Sequence, residues 1–259
     1  MSSSLGLQVA VLARRSLLRT ARQPASIIPS LLFPMFLLAV NSGGLDSATR
    51  IPGFPTDSYL DFALAFAFVQ GALFVTVNSG TDLARDIDTG FLNRLALTPV
   101  RGAALLAGQL GGAVALALFQ AILFLSVGLA AGVTIAAGVA GALVILALSL
   151  LVSIAFGGIG AFLALRSGSG EAIQGLFPVL FIFLFLSSMA LPRNLIEIDW
   201  FRTVATWNPV SYLIEGIRSL IITGWDGEAL ALGFGVAGTL ALVSLTAASF
   251  ALRTRLERT

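Results

Sequence analysis

Two pairs of carboxylates, Asp86 with Asp88 and Glu197 with Asp199, come nearest in this sequence to residues that could do chemistry. Paired acids divide general-acid and general-base work when their surroundings push their pKa values apart. Neither pair meets that condition. The first lies in a polar segment, the second reads as solvated charge, and no paired acids share one depth of an apolar stretch. There is no Cys and no His, so thiolate nucleophiles, disulfides, imidazole bases and the usual zinc sites drop out. All fifteen basic residues are Arg. Without Lys, a G-x-x-x-x-G-K-[ST] phosphate loop cannot be built. The expectation is a chain that binds no metal or cofactor and is not itself an enzyme.

The most structured polar stretch is "RDIDTGFLNRLALTPVRG", residues 85–102. Asp88, Thr89 and Gly90 can end one helix and cap the next, since Gly allows the turn and Asp or Thr accepts orphan N–H groups. Phe91 and Leu95 are four apart and share a face of a short helix, while Asn93 and Arg94 point to another side. Leu92 adds a further apolar side chain, and Thr98 with Pro99 stops the helix. Such a helix can offer Phe and Leu to a partner's groove, or it can pack on its own protein. The residues alone favour neither reading.

The chain around this segment explains why it stands out. Of 259 residues 57% are hydrophobic and 11% charged, against about 25% charged in an ordinary soluble domain. The mean hydropathy is +0.97. Lipid is the solvent for most of such a chain. Six spans are expected, at about 27–40, 59–79, 102–131, 133–165, 172–191 and 229–252. Pro29 and Pro34 should kink the first, and Phe156-Gly157-Gly158-Ile159-Gly160 offers a bend in the fourth. Eleven Arg, including Arg15, Arg19, Arg94 and Arg253, fall on one side of these spans, and Arg50, Arg193, Arg202 and Arg218 on the other. The positive-inside rule then places both termini in the cytoplasm. Trp200, Trp207 and Trp225 all lie before the last span, as interfacial aromatics should.

Residues 1–26 read as a basic amphipathic helix lying at the inner leaflet, with Gln8, Arg15, Arg19 and Arg22 on one stripe. They carry four Arg and no long apolar core, which is not the pattern of a secretory signal. A net charge of +2 gives no reason to expect nucleic acid.

Within the expected spans Asp61 is the one ionisable residue, so no proton relay or charged pore ring is in view. Gln70, Asn78, Gln109 and Gln120 are the notable polar side chains. Gln109 and Gln120, eleven apart, share a helix face. They suit hydrogen bonding between packed helices or a sparse lining for an amphipathic substrate. If the chain moves something, the free energy comes from elsewhere. The alternative is an ATP-independent secondary carrier or channel, against which the missing intramembrane charge counts.

Ahead of the last span, Asn208 caps and Pro209 opens a helix. Leu213, Ile214, Ile217, Leu220 and Ile221 form its apolar stripe, and Ser211, Glu215 and Arg218 its polar one. Glu215 and Arg218 can pair at i,i+3, and Gly224 ends the helix. Residues 193–206 are a poorer helix candidate. Both are too short or too polar to span, and can either dip back into the bilayer or lie flat on it.

"DTGFLNRLALTPVRG", Leu191-Pro192 and "WNPVSYLIEGIRSL", in that order among six spans, resemble the permeases of type-2 ATP-binding-cassette (ABC) exporters. The nearest subgroup is the daunorubicin-resistance-type efflux permeases. Asp88 stands where Glu is common in that family, and Gln109 where Lys is often found. The resemblance covers nearly the whole chain and implies an all-α integral membrane protein of the bacterial cell membrane. It has six transmembrane helices, an N-terminal amphipathic interfacial helix (1–26), a cytoplasmic coupling-helix loop (81–101) and short extracellular re-entrant helices (192–228). It implies that Asp88, Thr89, Gly90, Phe91, Leu92, Asn93 and Arg94 contact a separate ABC ATPase. Two copies of that ATPase would carry ATP and Mg. A second permease subunit would make a homodimer or heterodimer. Asn208, Pro209, Glu215 and Arg218 would belong to an extracellular gate helix. The implied cargo is an amphipathic drug- or lipid-like molecule leaving the cytoplasm.

Overall fold

The structure, a computed structural model, describes residues 5–96 and 102–256. Regular structure among them is entirely helical. α1 (Leu5–Ala21) and α2 (Pro24–Gly44) are followed by a 3-10 turn (Asp46–Arg50). α3 (Tyr59–Asp88) leads through a two-residue turn into the short α4 (Phe91–Ala96). α5 (Gly102–Ala130), α6 (Gly138–Ser167) and α7 (Gly170–Phe185) come next. A 3-10 turn (Arg193–Leu195), α8 (Asp199–Trp207), α9 (Pro209–Ile222) and α10 (Gly227–Leu256) complete the order.

Five of these helices, α2, α3, α5, α6 and α10, are long and apolar enough to cross a membrane. The expected fifth span, 172–191, is realised as α7, whose 16 residues reach about 24 Å at 1.5 Å per residue. That is short of the ~30 Å apolar core of a bilayer. Other limits move outward. α2 begins at Pro24, where proline costs no backbone donor, and continues to Gly44 with Pro29 and Pro34 inside it. α3 runs nine residues past the expected Ser79.

α3 is the axis of the molecule. Its side chains from Phe62 to Leu73 are buried almost without break, and α2, α5, α6, α7 and α9 all pack against it. In lipid no hydrophobic force draws helices together, so small residues that let backbones approach carry the packing. The seam of α3 with α6 is built this way. A Cβ on Gly160 would stand 2.1 Å from the Thr76 carbonyl oxygen, and one on Gly80 3.0 Å from the Gly160 carbonyl oxygen and 2.7 Å from a methyl of Ile173 in α7. Ser79 Oγ donates to the Gly157 carbonyl at 3.1 Å. On another side of α6, a Cβ on Gly158 would meet Ser244 Oγ of α10 at 2.4 Å. The glycines expected to bend the fourth span are therefore contact points in a continuous helix. Large apolar side chains such as Leu32, Phe36, Phe119, Leu143, Leu242 and Phe250 remain exposed on the outside of the bundle, the surface that lipid or another subunit covers.

Candidate functional site

At one end of the bundle α3 turns into α4, and the sequence builds that turn locally. The Thr89 N–H and Oγ1 both donate to the Arg85 carbonyl, at 3.0 and 2.8 Å. Gly90 follows at φ +66°, a conformation that costs a residue with a Cβ about 1–2 kcal/mol. Its N–H donates to the Ile87 carbonyl at 3.0 Å. The Arg94 N–H then donates to the Gly90 carbonyl (3.1 Å), and Arg94 Nη2 to that of Thr89 (3.3 Å).

Behind the turn stands a charged cluster that the sequence did not suggest. Asp86 is 3% exposed. Arg15 of α1 donates to both its oxygens, from Nη1 to Oδ2 at 2.9 Å and from Nη2 to Oδ1 at 2.8 Å. Arg19 Nη1 adds a third bond at 2.7 Å. Asp82, one turn earlier, lies 3.5 Å from Arg19 Nε and accepts from Gln23 Nε2 at 3.4 Å. Arg15 and Arg19 are four apart on α1, as are Asp82 and Asp86 on α3, so the two helix faces match, and Gln23, just past the end of α1, continues the row. The hydrogen bonds to Asp86 raise the pKa of Arg15. The guanidinium also lies 3.7 Å from the Phe91 ring centroid, a cation–π contact. One side chain thus joins α1, the end of α3 and the first residue of α4.

α1 is fixed from a second side. Ser16 Oγ donates to the Gln109 carbonyl at 2.9 Å and accepts from the Gly112 N–H at 3.1 Å. Cβ atoms on Gly108, Gly111 or Gly112 would come within 2.3 to 2.7 Å of Leu12, Ala13 or Ser16. The expected stripe divides: Arg15 and Arg19 turn into the protein while Arg22 is exposed, and Leu7, Val11, Arg14 and Leu18 point outward.

The seven residues expected to meet a partner divide. Asp88, Thr89 and Arg94 are exposed and Gly90 is half-buried. Phe91 lies partly under Arg15. Leu92, 1% exposed, turns into the chain's own interior beside Leu83 and Leu105, with Leu95 packed on the same cluster. The Asn93 side chain and residues 97–101, including Thr98, Pro99 and Arg101, lie outside the described residues.

The other end of α3 carries a second polar assembly. Asn208 Oδ1 accepts from the Val210 N–H at 3.0 Å and Pro209 occupies the first turn of α9. The helix stops at Gly224, φ +93°, whose N–H donates to the Ser219 carbonyl at 2.8 Å. The expected Glu215–Arg218 pair does not form. Glu215 pairs with Arg193 instead. Arg218, 6% exposed, donates from Nε to the Phe62 carbonyl (3.0 Å), from Nη1 to Ser188 (3.0 Å) and from Nη2 to Met189 (3.2 Å). Its carbon Cζ lies 3.5 Å from the Phe62 ring centroid. Asn208 Nδ2 donates to Phe183, Ser211 Oγ accepts from the Ser188 N–H, and the Tyr59 hydroxyl donates to Ala190. The polar stripe of α9 thus satisfies the loose backbone that follows α7, and α9 is buried against α3, α6 and α10.

Of the four polar residues within the expected spans, Gln120 Nε2 donates to the Ser30 carbonyl of α2 at 3.1 Å. Gln109 is half-buried where its carbonyl meets α1. Gln70 is fully buried, and its amide, like Asn78 Nδ2, has no hydrogen-bond partner among the described residues.

A model of the "ABC-2 type transporter" family matches residues 7–222. A protein of Porphyra purpurea named as a transport permease, ycf38, is 27% identical over 223 residues, 85% of this chain and 76% of the relative. One of Mycobacterium tuberculosis named as a doxorubicin resistance ABC transporter permease, DrrC, is 24% identical over 219 residues, covering 84% and 78%. Another, of Streptomyces coeruleorubidus, named as the daunorubicin resistance ABC transporter permease DrrB1, is 25% identical over 211 residues, covering 80% and 72%.

Proposed function

This chain belongs to the ABC-2 type transporter family, and from that premise we propose that it is the non-catalytic membrane subunit of an exporter powered by a separate ATPase. Two ATPase copies hold ATP and Mg. Two permease subunits, identical or not, frame the path through the lipid bilayer. Residues 81–101 and both termini face the cytoplasm of a bacterial cell, 1–26 lie along the inner leaflet, and 192–228 close the outer mouth. α7 and the turn after it complete a sixth span. The cargo is amphipathic and drug- or lipid-like, a reading favoured by relatives named for doxorubicin and daunorubicin resistance.

The observation that carries this reading is the braced turn between α3 and α4. Asp88, Thr89 and Arg94 face outward, while Arg15, Asp86 and Leu92 hold the turn from behind. A docking element must be exposed in front and rigid behind if it is to pass on a push. When ATP closes the ATPases, force on the turn enters α3 through its last residues and α1 through Arg15. The glycine seams then carry it to α5 and α6. At the far end Arg218 ties α9 to α3, so the outer segment follows the same axis.

The test is transport in inside-out vesicles holding the chain and its co-expressed ATPase, with daunorubicin as probe. Uptake should require ATP, and Gly90→Pro should abolish it while insertion remains normal. Accumulation by the chain alone, driven by an ion gradient, would refute the proposal.

A further inference from the structure

Pro34 divides the 21-residue α2 into two equal arms. A proline inside a helix has no N–H for the carbonyl four residues earlier, and its ring pushes that carbonyl aside. Here the freed acceptor is the Ser30 carbonyl. In a membrane-crossing helix such a group must find another donor. It finds Gln120 of α5, whose Nε2 donates to it at 3.1 Å. Gln120 is 2% exposed and Ser30 fully buried, so water is no alternative donor. Gly71 of α3 leaves the amide its room: an added Cβ there would stand 3.0 Å from the Phe124 ring and 3.5 Å from Gln120 Oε1. Pro29 frees the Ala25 carbonyl in the same way, but in the first turn and at an exposed residue, with almost no helix before it to bend.

The two arms are held differently. Just before α2, Gln23 donates to Asp82 of α3, and Ser16 of α1 is bonded to the Gln109 carbonyl and the Gly112 N–H of α5. Gln120 ties the first arm of α2 to that same α5. Beyond Pro34, side-chain hydrogen bonds among the described residues stay within the arm. Asn41 Nδ2 donates to the Leu37 carbonyl at 2.8 Å, and the buried Ser42 Oγ has no partner among the described residues. Phe36 and Val40 are exposed, and Leu38 is the arm's one fully packed large side chain.

We propose that Pro34 and Gln120 form a latched joint in α2. The first arm stays with α1 and α5, and the second arm turns about Pro34. The bond from Gln120 fixes the tilt of the Ser30 carbonyl and with it the angle between the arms. Gln120 is thus a positioning residue: it sets the course of α2 from the neighbouring helix. The joint is independent of the export reading. Its use, a change of angle when nucleotide binds the ATPases, rests on that reading.

The chain has no Cys, so nitroxide labels can be carried by Ile28→Cys and Gly43→Cys alone. These are exposed positions on either side of the joint, about 22 Å apart along a straight helix. Pulsed EPR of the full chain in nanodiscs should give a narrow distance distribution, and a broad one in Gln120→Leu. It should be narrow again in Gln120→Leu/Pro34→Ala, because alanine restores the N–H that the Ser30 carbonyl lacks. Unfolding midpoints should agree: the loss caused by Gln120→Leu should fall by more than half in the Pro34→Ala background. With the ATPase bound, a non-hydrolysable ATP analogue should shift the maximum in the labelled parent and not in Pro34→Ala. An unchanged width in Gln120→Leu, or a width that Pro34→Ala does not restore, overturns the joint. If Gln120→Leu does not fold, recovery with Pro34→Ala supports the joint and failure of both overturns it. A missing shift in complexes that bind the analogue overturns its use, whereas failure to bind any ATPase counts against the export reading alone.

Discussion

Arg15 grips Asp86 with two nearly parallel hydrogen bonds of 2.9 and 2.8 Å across 71 residues of sequence. Forked Arg–carboxylate contacts of this kind are among the stronger ones a protein makes. The acid is buried while the base is half exposed, and Arg19 shares the acid. The two partners are therefore not equivalent.

Asp86→Asn leaves two guanidinium groups facing a neutral amide, and should cost about 1–3 kcal/mol. Arg15→Gln leaves Arg19 to satisfy the carboxylate and should cost less. Thermal unfolding in detergent should rank the midpoints wild type, then Arg15→Gln, then Asp86→Asn. The reverse order of the two variants would mean that Arg15 acts mainly through Phe91.

The helix seams predict a contrast between two glycines. Gly160→Ala puts a methyl 2.1 Å from the Thr76 carbonyl oxygen, so α3 and α6 must separate, at about 1–3 kcal/mol. Gly43→Ala meets nothing within 4 Å inside α2, and should raise stability by about 0.5–1 kcal/mol through helix propensity. Melting curves of the two variants should move in opposite directions. A shared direction would contradict the close α3–α6 approach.

Arg218→Lys keeps the charge and loses the fork, since one ammonium cannot reach the Phe62, Ser188 and Met189 carbonyls with the same geometry. Amide hydrogen exchange of residues 186–190 should quicken at least about tenfold, while exchange at residues 85–90 stays as it was. Unchanged exchange at 186–190 would show that Tyr59, Asn208 and Ser211 hold that segment without Arg218.

What the sequence made legible follows the range of the forces involved. Apolar runs long enough to cross a bilayer were plain, because composition alone sets them. So were the local signals: the Thr89-Gly90 turn, Asn208 and Pro209 opening α9, and Gly224 closing it. Asp82, Arg85 and Asp86 read as loop because charge at a span's end looks like exit into water. The segment stays helical because Arg15 and Arg19 of α1 pair with the two acids and Gln23, just past α1, donates to Asp82, and that pairing crosses about 60 to 70 residues.

The same limit explains Glu215 and Arg218. Their i,i+3 spacing suggests a pair, but the carbonyls that bind Arg218 lie 29, 30 and 156 residues away, and nothing in the local pattern announces them. Leu92 and Phe91 are a third case. Heptad-like spacing cannot tell a face turned to a partner from one turned to the chain's own core. A clue was present in retrospect: acids at 82 and 86 and bases at 15 and 19 share one helical spacing.

The most direct measurement places a photo-crosslinking amino acid at Thr89, and separately at Trp207, which is 83% exposed at the opposite end, in cells that also make the ATPase. The account predicts an ATPase adduct from Thr89 and none from Trp207. An adduct from Trp207, or none from Thr89 in complexes that still hydrolyse ATP and export, would contradict it.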